Sequence, residues 1–326
     1  MHLSTRTKRI LLVLLWAIPA AAVVWWATKQ DAPRFPDTFG GVMIVVGAIG
    51  IYAVATVIRA ERWERILRGA GVEAKRADVY ALVPIGYMGN NVLPARGGEL
   101  LRMFLLGGRT EATKRTILGT IVAERVLDAV ALGVILLVLA FDLLSELPRP
   151  HLGLALAIGG GLLALALVGA VIALRQRERL AFLLRALLPL AQPSRQLLSR
   201  RGAALLAMSL GIWLLEASVY IAVGQALDIE LGLDDGLAVV AFTNAAALIP
   251  AAPGYIGTYD AAVIFAVRAV NTASRATIVS YLLLLRFVLF LPITIAGFVA
   301  LVLRFGGLAR VRAARAAARA EARAIA

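Results

Sequence analysis

The 326-residue chain contains no cysteine, which excludes a disulfide framework, a thiol nucleophile and any cysteine-based metal site. It has only two histidines, His2 and His151, which fall at span ends on opposite sides of the predicted topology and cannot form one site. No GxxxxGK(S/T) stretch occurs, so there is no phosphate loop for nucleotide-driven work. No motif calls for a cofactor or a metal. Charged residues are scarce, at 17% against 61% hydrophobic, and mean hydropathy is +0.85. That is far more apolar surface than a soluble domain of this size encloses, so the chain falls in the membrane class. The net charge of +14 does not point to nucleic acid, because the basic residues lie in short loops between apolar runs and in an Arg/Ala-rich tail.

Apolar runs long enough to cross a bilayer predict spans near 10–28, 40–58, 116–141, 152–174, 203–227 and 277–303. The first follows Arg6, Lys8 and Arg9, but it is longer than a signal-peptide core and no small-residue cleavage site precedes Lys29, so a retained span is expected. Two more apolar stretches, 79–108 and 236–270, break in the middle at "LPARGG" and "IPAAPG". Each is expected to be a re-entrant hairpin of two half-helices. The N-terminus, the loops 59–78, 107–115 and 175–202, and the tail then share one side and hold 25 Lys/Arg. The other side holds five, Lys29, Arg34, Arg149, Arg268 and Arg275. The positive-inside rule puts both termini in the cytoplasm of a multi-pass cytoplasmic (inner) membrane protein. The loops 59–78 and 175–202, basic with interspersed Leu, Ile, Trp and Phe, read either as amphipathic helices on an anionic leaflet or as ordinary positive-inside loops.

Aligning the two breaks pairs Pro94 with Pro250, Ala95 with Ala251 and Gly98 with Gly254. Each hairpin follows two spans and precedes one, and the following span carries an arginine, Arg125 or Arg286. The expected fold is an all-α integral membrane protein of about six transmembrane helices plus two re-entrant hairpins, arranged as inverted-topology repeats in a single membrane domain. The half-repeats are 1–145 and 151–304, and 305–326 is a basic cytoplasmic tail.

Nine ionisable residues fall within the embedded stretches: Arg96, Glu99, Arg102, Glu124, Arg125, Asp128, Glu216, Asp260 and Arg286. Each costs on the order of 2.5 to 3.5 kcal/mol at the bilayer centre unless paired or wet, so their near-balance of sign predicts pairing around a polar cavity. Glu124 and Asp128 share a helix face at i and i+4, with Arg125 about 100° away. Glu124, Asp128 and Glu216 are the candidates for ion or proton coupling. Non-helical peptide at membrane depth must be buried in protein or line a cavity, so both breaks belong inside the bundle. Gly97, Gly98 and Gly254 allow a turn and close approach to a ligand, Pro94 and Pro253 end the helical ladder, and the half-helix that follows offers free N–H groups to an anion beside Arg96. Asn90, Asn91, Tyr255, Thr258 and Tyr259 add polar groups to the two breaks. The plain reading of any one charge is a structural ion pair; Arg96, then Arg125 and Arg286, are expected to meet substrate.

The stretches "NNVLPARGGELLRMFLL" and "ALIPAAPGYIGTYDAAV" resemble the two signature stretches of the lysylphosphatidylglycerol synthase transmembrane family, a flippase-like domain. Asn90, Asn91, Pro94, Arg96, Gly98, Glu99 and Arg102 match the first signature, and Pro250, Pro253, Gly254, Gly257 and Asp260 the second. Asp260 stands where the family commonly has glutamate. The chain ends shortly after its last span, so the cytoplasmic synthase domain is not expected. The resemblance implies only the translocating half: movement of a lipid or lipid-linked anionic headgroup across the cytoplasmic membrane. The expected partners are an anionic phospholipid or other lipid, the bilayer itself, and a lipid-biosynthesis enzyme or a second copy of the chain. Two other readings stand beside it, a membrane enzyme acting on a lipid-linked sugar or phosphate and an accessory subunit of a cell-envelope lipid pathway.

Overall fold

A computed structural model of the protein describes residues 33–93, 96–146, 200–246 and 253–307. The expected spans 10–28 and 152–174, the residues Pro94, Ala95, Pro250 and Ala251, and the tail beyond 307 lie outside the described residues. Within them all regular structure is helical, in eight α-helices: α1 (Phe39–Gly69), α2 (Arg76–Val92), α3 (Gly97–Gly107), α4 (Lys114–Glu146), α5 (Arg200–Gln225), α6 (Leu233–Ala246), α7 (Thr258–Val270) and α8 (Arg275–Phe305). Three of them, α1, α5 and α8, are long and apolar enough to cross a membrane, and α4 covers the predicted 116–141 run.

Capping chemistry sets several boundaries. The Thr38 hydroxyl accepts the Gly41 N–H at 3.1 Å and starts α1, and the Ser274 hydroxyl accepts the Thr277 N–H at 3.2 Å and starts α8. Each satisfies a first-turn donor with no partner inside its helix. Helix α8 ends at Gly306 with φ 70°, a left-handed conformation that glycine adopts without steric cost.

Helix α1 corrects the expected boundary at residue 58. It continues as one helix through "RAERWERILRG", so residues 59–69 are neither a loop nor a helix laid on the leaflet. Arg59, Arg62, Trp63, Ile66 and Leu67 are all buried there. They form the stripe that faces the bundle, and their charges are paired by other helices. Arg65 and Arg68 are exposed on the outer face and pair, one turn back, with half-buried Glu61 and buried Glu64.

Both stretches read as broken are helix–break–helix units. Helix α2 ends at Val92, Leu93 is extended, and α3 starts after Arg96. The second unit comprises α6, a short 3₁₀ turn (Pro253–Tyr255) and α7, with residues 247–252 outside the described residues. Helix α2 packs closely on α3 and on α8. The contact with α8 is close at Gly297, where a Cβ would sit 2.3 Å from the Pro84 carbonyl oxygen.

Two large apolar clusters, and a small third one of Ile66, Ala123, Leu127 and Leu205, fill the bundle among the described residues. One joins the first part of α1 to α4, α5, α6, α7 and α8 through residues such as Tyr52, Tyr220, Val263 and Leu285. The other joins the end of α1 to α2, α3, α4 and the end of α8 through Trp63, Leu82, Leu106 and Phe305. Val46, Val54, Leu137, Phe298 and Leu303 are exposed on the outer faces of α1, α4 and α8, a pattern suited to lipid tails.

A candidate substrate cavity between the helix breaks

A cavity of about 170 Å³ lies inside the bundle, lined from both helix–break–helix units and from α1, α4, α5 and α8. Of the residues expected at a site, Asn90, Asn91 and Arg96 reach it from the first unit, Tyr255 from the second, Arg125 and Asp128 from α4, and Glu216 from α5. Gly97, Gly98, Glu99, Arg102, Glu124, Pro253, Gly254, Asp260 and Arg286 stand behind this lining, not in it.

Among the described residues, Arg96, Asp228 and Tyr255 are the non-glycine residues with positive φ. Arg96 (φ 55°) and Tyr255 (φ 55°) lie one in each break, and both line the cavity. A side-chain-bearing residue in that region costs free energy that the surrounding packing must supply. In the first break the packing is visible. The Asn90 carboxamide oxygen accepts the Gly98 N–H at 3.0 Å, and Asn91 donates to the Thr294 hydroxyl of α8 at 2.9 Å. Gly98 does not present bare backbone to a ligand. A Cβ there would fall 1.8 Å from the Gly86 carbonyl oxygen, so its role is to let α3 lie against α2. The two breaks adjoin, since a Cβ on Gly254 would meet the Asn91 carbonyl oxygen at 3.4 Å.

In the lining and behind it, charges alternate in a continuous chain. Arg102 donates to Glu124 at 2.7 Å, and Glu124 lies 3.8 Å from Arg62. Arg62 pairs with Asp128 at 2.7 Å, Asp128 with Arg125 at 3.5 Å, Arg125 with Glu99 at 3.7 Å, and Glu99 with Arg96 at 3.7 Å. Arg102 also lies 3.7 Å over the face of Trp63, whose indole N–H donates to the Thr120 hydroxyl at 3.1 Å. A separate pair, Arg59 to Glu216, lines the cavity itself. Unpaired charge in such a setting is expensive, and pairing is what makes these side chains tolerable. Five arginines (59, 62, 96, 102, 125) face four carboxylates (99, 124, 128, 216), which leaves one positive charge in excess.

The second unit has its own pair. The Asp260 carboxylate accepts the Gly257 N–H at 2.8 Å and pairs with Arg286, which also donates to the Gly254 carbonyl at 3.1 Å. Arg286 stands behind Tyr259 and Phe290, with its guanidinium 5.4 Å and 5.0 Å from their ring centres, and both rings line the cavity. Glu99 and Asp260 share a role: each is the third residue of its half-helix, and each pairs with an arginine of the next long helix. Aligning on the prolines sets Gly98 opposite Gly254; aligning the helix starts sets Glu99 opposite Asp260.

Sequence reasoning missed Arg59, Arg62 and Trp213. The first two fall where charge density predicts a loop, although Tyr52 and Arg59 are seven residues apart, two turns on one face, and Trp63 continues the same stripe past the end of the apolar run. Trp213 carries no comparable signal, because one tryptophan in an apolar helix is ordinary. Tyr52, Tyr87, Tyr220 and Asn244 complete much of the polar lining.

Residues 9–297 match the family described as the lysylphosphatidylglycerol synthase TM region. A UPF0104 membrane protein of Pyrococcus horikoshii is 26% identical over 137 residues, 41% of this chain and 40% of that protein. Another UPF0104 membrane protein, from Methanocaldococcus jannaschii, is 34% identical over 86 residues, 26% of each chain. Glycosyltransferase AglD of Haloferax volcanii is 26% identical over 140 residues, 41% of this chain and 22% of AglD. The chain therefore spans less than half the length of these curated relatives. No solved structure matches it. The matched region takes in all eight described helices except the last turns of α8, and the chain belongs to the lysylphosphatidylglycerol synthase TM-region family of membrane proteins.

Proposed function

We propose that the protein translocates a lipid with an anionic headgroup across the cytoplasmic membrane, the headgroup occupying the cavity while the acyl chains stay in lipid. The observation that carries this reading is the single positive charge in excess among the charged groups of the cavity and its wall, within a bundle whose outer faces are apolar. A headgroup of opposite charge is the ligand that such a wall lacks. The two helix–break–helix units act as re-entrant hairpins of inverted repeats, with the half-repeats 1–145 and 151–304 and both termini in the cytoplasm. The shared role of Glu99 and Asp260 supports the repeat, and the adjoining breaks supply the non-helical backbone that must line a cavity when it lies at membrane depth. Rocking one hairpin against the other exposes the site to each side in turn, with Glu124, Asp128 and Glu216 as the carboxylates available for coupling. A lipid-biosynthesis enzyme or a second copy of the chain is the expected protein partner.

The test is reconstitution of the purified protein in liposomes with fluorescent phosphatidylglycerol, following the fraction of label that external dithionite quenches. Transfer faster than in empty liposomes is expected, and Arg96→Ala should abolish it while the protein still inserts and folds. Transfer no faster than in empty liposomes, for any anionic lipid tried, overturns the reading. The partial match to glycosyltransferase AglD favours a second one, an enzyme acting on a lipid-linked sugar. Chemical change in such a lipid, without transfer, would establish it.

A further inference from the structure

The ion pairs leave particular donors unused. Arg59 gives its Nη2 to Glu216, while its Nη1 is buried without a hydrogen-bond partner. Trp213, on α5, likewise keeps a buried Nε1–H without a partner. Both side chains line the cavity and are more than nine-tenths buried, and the Arg59 guanidinium lies 5.9 Å from the Trp213 ring centre. Tyr52 and Tyr87 stand at similar range, 5.8 Å and 5.7 Å, and hold the guanidinium among aromatic faces. Arg96 and Arg125, also on the lining, each have a buried Nε without a hydrogen bond, but both face Glu99 Oε1 at 3.7 Å, itself a buried acceptor without a hydrogen bond, so these two donors have an acceptor of their own beside them.

Buried donors are normally satisfied, and each one left without a partner costs about 1–3 kcal/mol. Here two lie on one cavity, Arg59 Nη1 and Trp213 Nε1, besides the two Nε atoms that face Glu99. The two carboxylates of the lining are already engaged, Glu216 by Arg59 and Asn244, and Asp128 by Arg62 and Arg125. The unmet need is for acceptor lone pairs carrying one negative charge. A phosphodiester supplies both. A headgroup amine adds donors where donors are already unmet and cancels the charge, and a doubly charged phosphomonoester overshoots the excess.

We infer that Arg59 and Trp213 form an oxyanion subsite for the phosphodiester of a lipid whose headgroup carries a single net negative charge, and that the site discriminates against zwitterionic and dianionic headgroups. The inference rests on the reading of the cavity as a headgroup site and adds the substrate class and the residues that select it.

The test is calorimetric titration of the full-length protein in detergent with dihexanoyl phosphatidylglycerol, dihexanoyl phosphatidylethanolamine and dihexanoyl phosphatidic acid. Phosphatidylglycerol should bind saturably and at least about tenfold more tightly than the other two, the size expected of one charge-assisted hydrogen bond. Trp213→Phe keeps the ring and removes the N–H; it should weaken phosphatidylglycerol about tenfold and leave phosphatidylethanolamine unchanged. Arg59→Gln with Glu216→Gln removes the guanidinium donors of the subsite while leaving no buried carboxylate alone and keeping the net charge of the cavity, and should weaken phosphatidylglycerol about tenfold. Equal binding of all three lipids by the wild-type protein, or Trp213→Phe with wild-type affinity and preference, overturns the subsite and leaves the headgroup cavity standing. No saturable binding of any of the three overturns the headgroup reading itself.

Discussion

Glu124 is the carboxylate on which the buried charge chain turns. It accepts from Arg102 at 2.7 Å and lies 3.8 Å from Arg62, and the three side chains are 3%, 5% and 1% exposed. Replacing it with leucine leaves Arg102 without its carboxylate, in a place where water cannot take over. Breaking a buried pair from one side costs about 3–5 kcal/mol, most of it the uncompensated charge left behind. Arg102→Met removes that charge and keeps an unbranched side chain on the Trp63 face, while Arg62 retains Asp128 at 2.7 Å. The double variant Glu124→Leu with Arg102→Met should therefore recover most of the loss, giving a coupling free energy of about 3 kcal/mol in a double-mutant cycle. Reversible unfolding in mixed detergent micelles, followed by circular dichroism, measures all four corners of the cycle. If the two single losses add in the double variant, the pair is not a coupled buried unit and the electrostatic account of α3, α4 and α1 is refuted.

Two further outcomes follow from the packing and from the second break. Gly98→Ala drives a methyl group toward the Gly86 carbonyl, which cannot yield as a flexible side chain would; it should cost at least about 1–3 kcal/mol by overpacking. Gly47→Ala, on the open side of α1 with nothing within 4 Å, should instead be neutral or stabilising by up to about 1 kcal/mol. The same unfolding assay compares them, and equal effects would show that α3 does not lean on α2 as described. Asp260→Asn keeps an acceptor for the Gly257 N–H but removes the charge facing Arg286, with an expected loss of about 1–2 kcal/mol for this half-buried pair. Stability unchanged within about 0.5 kcal/mol would mean that the second break is held by its backbone alone.

Much of the architecture was legible in residue order. Apolar runs and their lengths place α4, α5 and α8 close to their observed limits, because a helix that must bury or face lipid over its length has to be apolar over that length. Proline and glycine clusters mark both breaks for an equally local reason: proline removes a ladder donor and glycine lets the backbone turn. At the end of α1 composition and structure part: the charge density there predicts a loop, yet Arg59 and Arg62 point into the bundle, while Arg65 and Arg68 face outward. Local composition cannot tell these two faces apart, since the partners of the inner face lie far along the chain at Asp128, Ser209 and Glu216.

The sequence by itself determined that this is a helical membrane protein with two interrupted helices and a small set of charges inside apolar segments, since each of these depends on hydropathy and backbone chemistry within a few turns. Tertiary structure decided which of those charges meet. It set Arg102 against Glu124 and Trp63, placed Gly98 against α2, and put Arg59 and Trp213, distant in the chain, on one cavity wall. Ion pairing and cavity lining are properties of distance between helices, and that distance is fixed by the packing of all of them together.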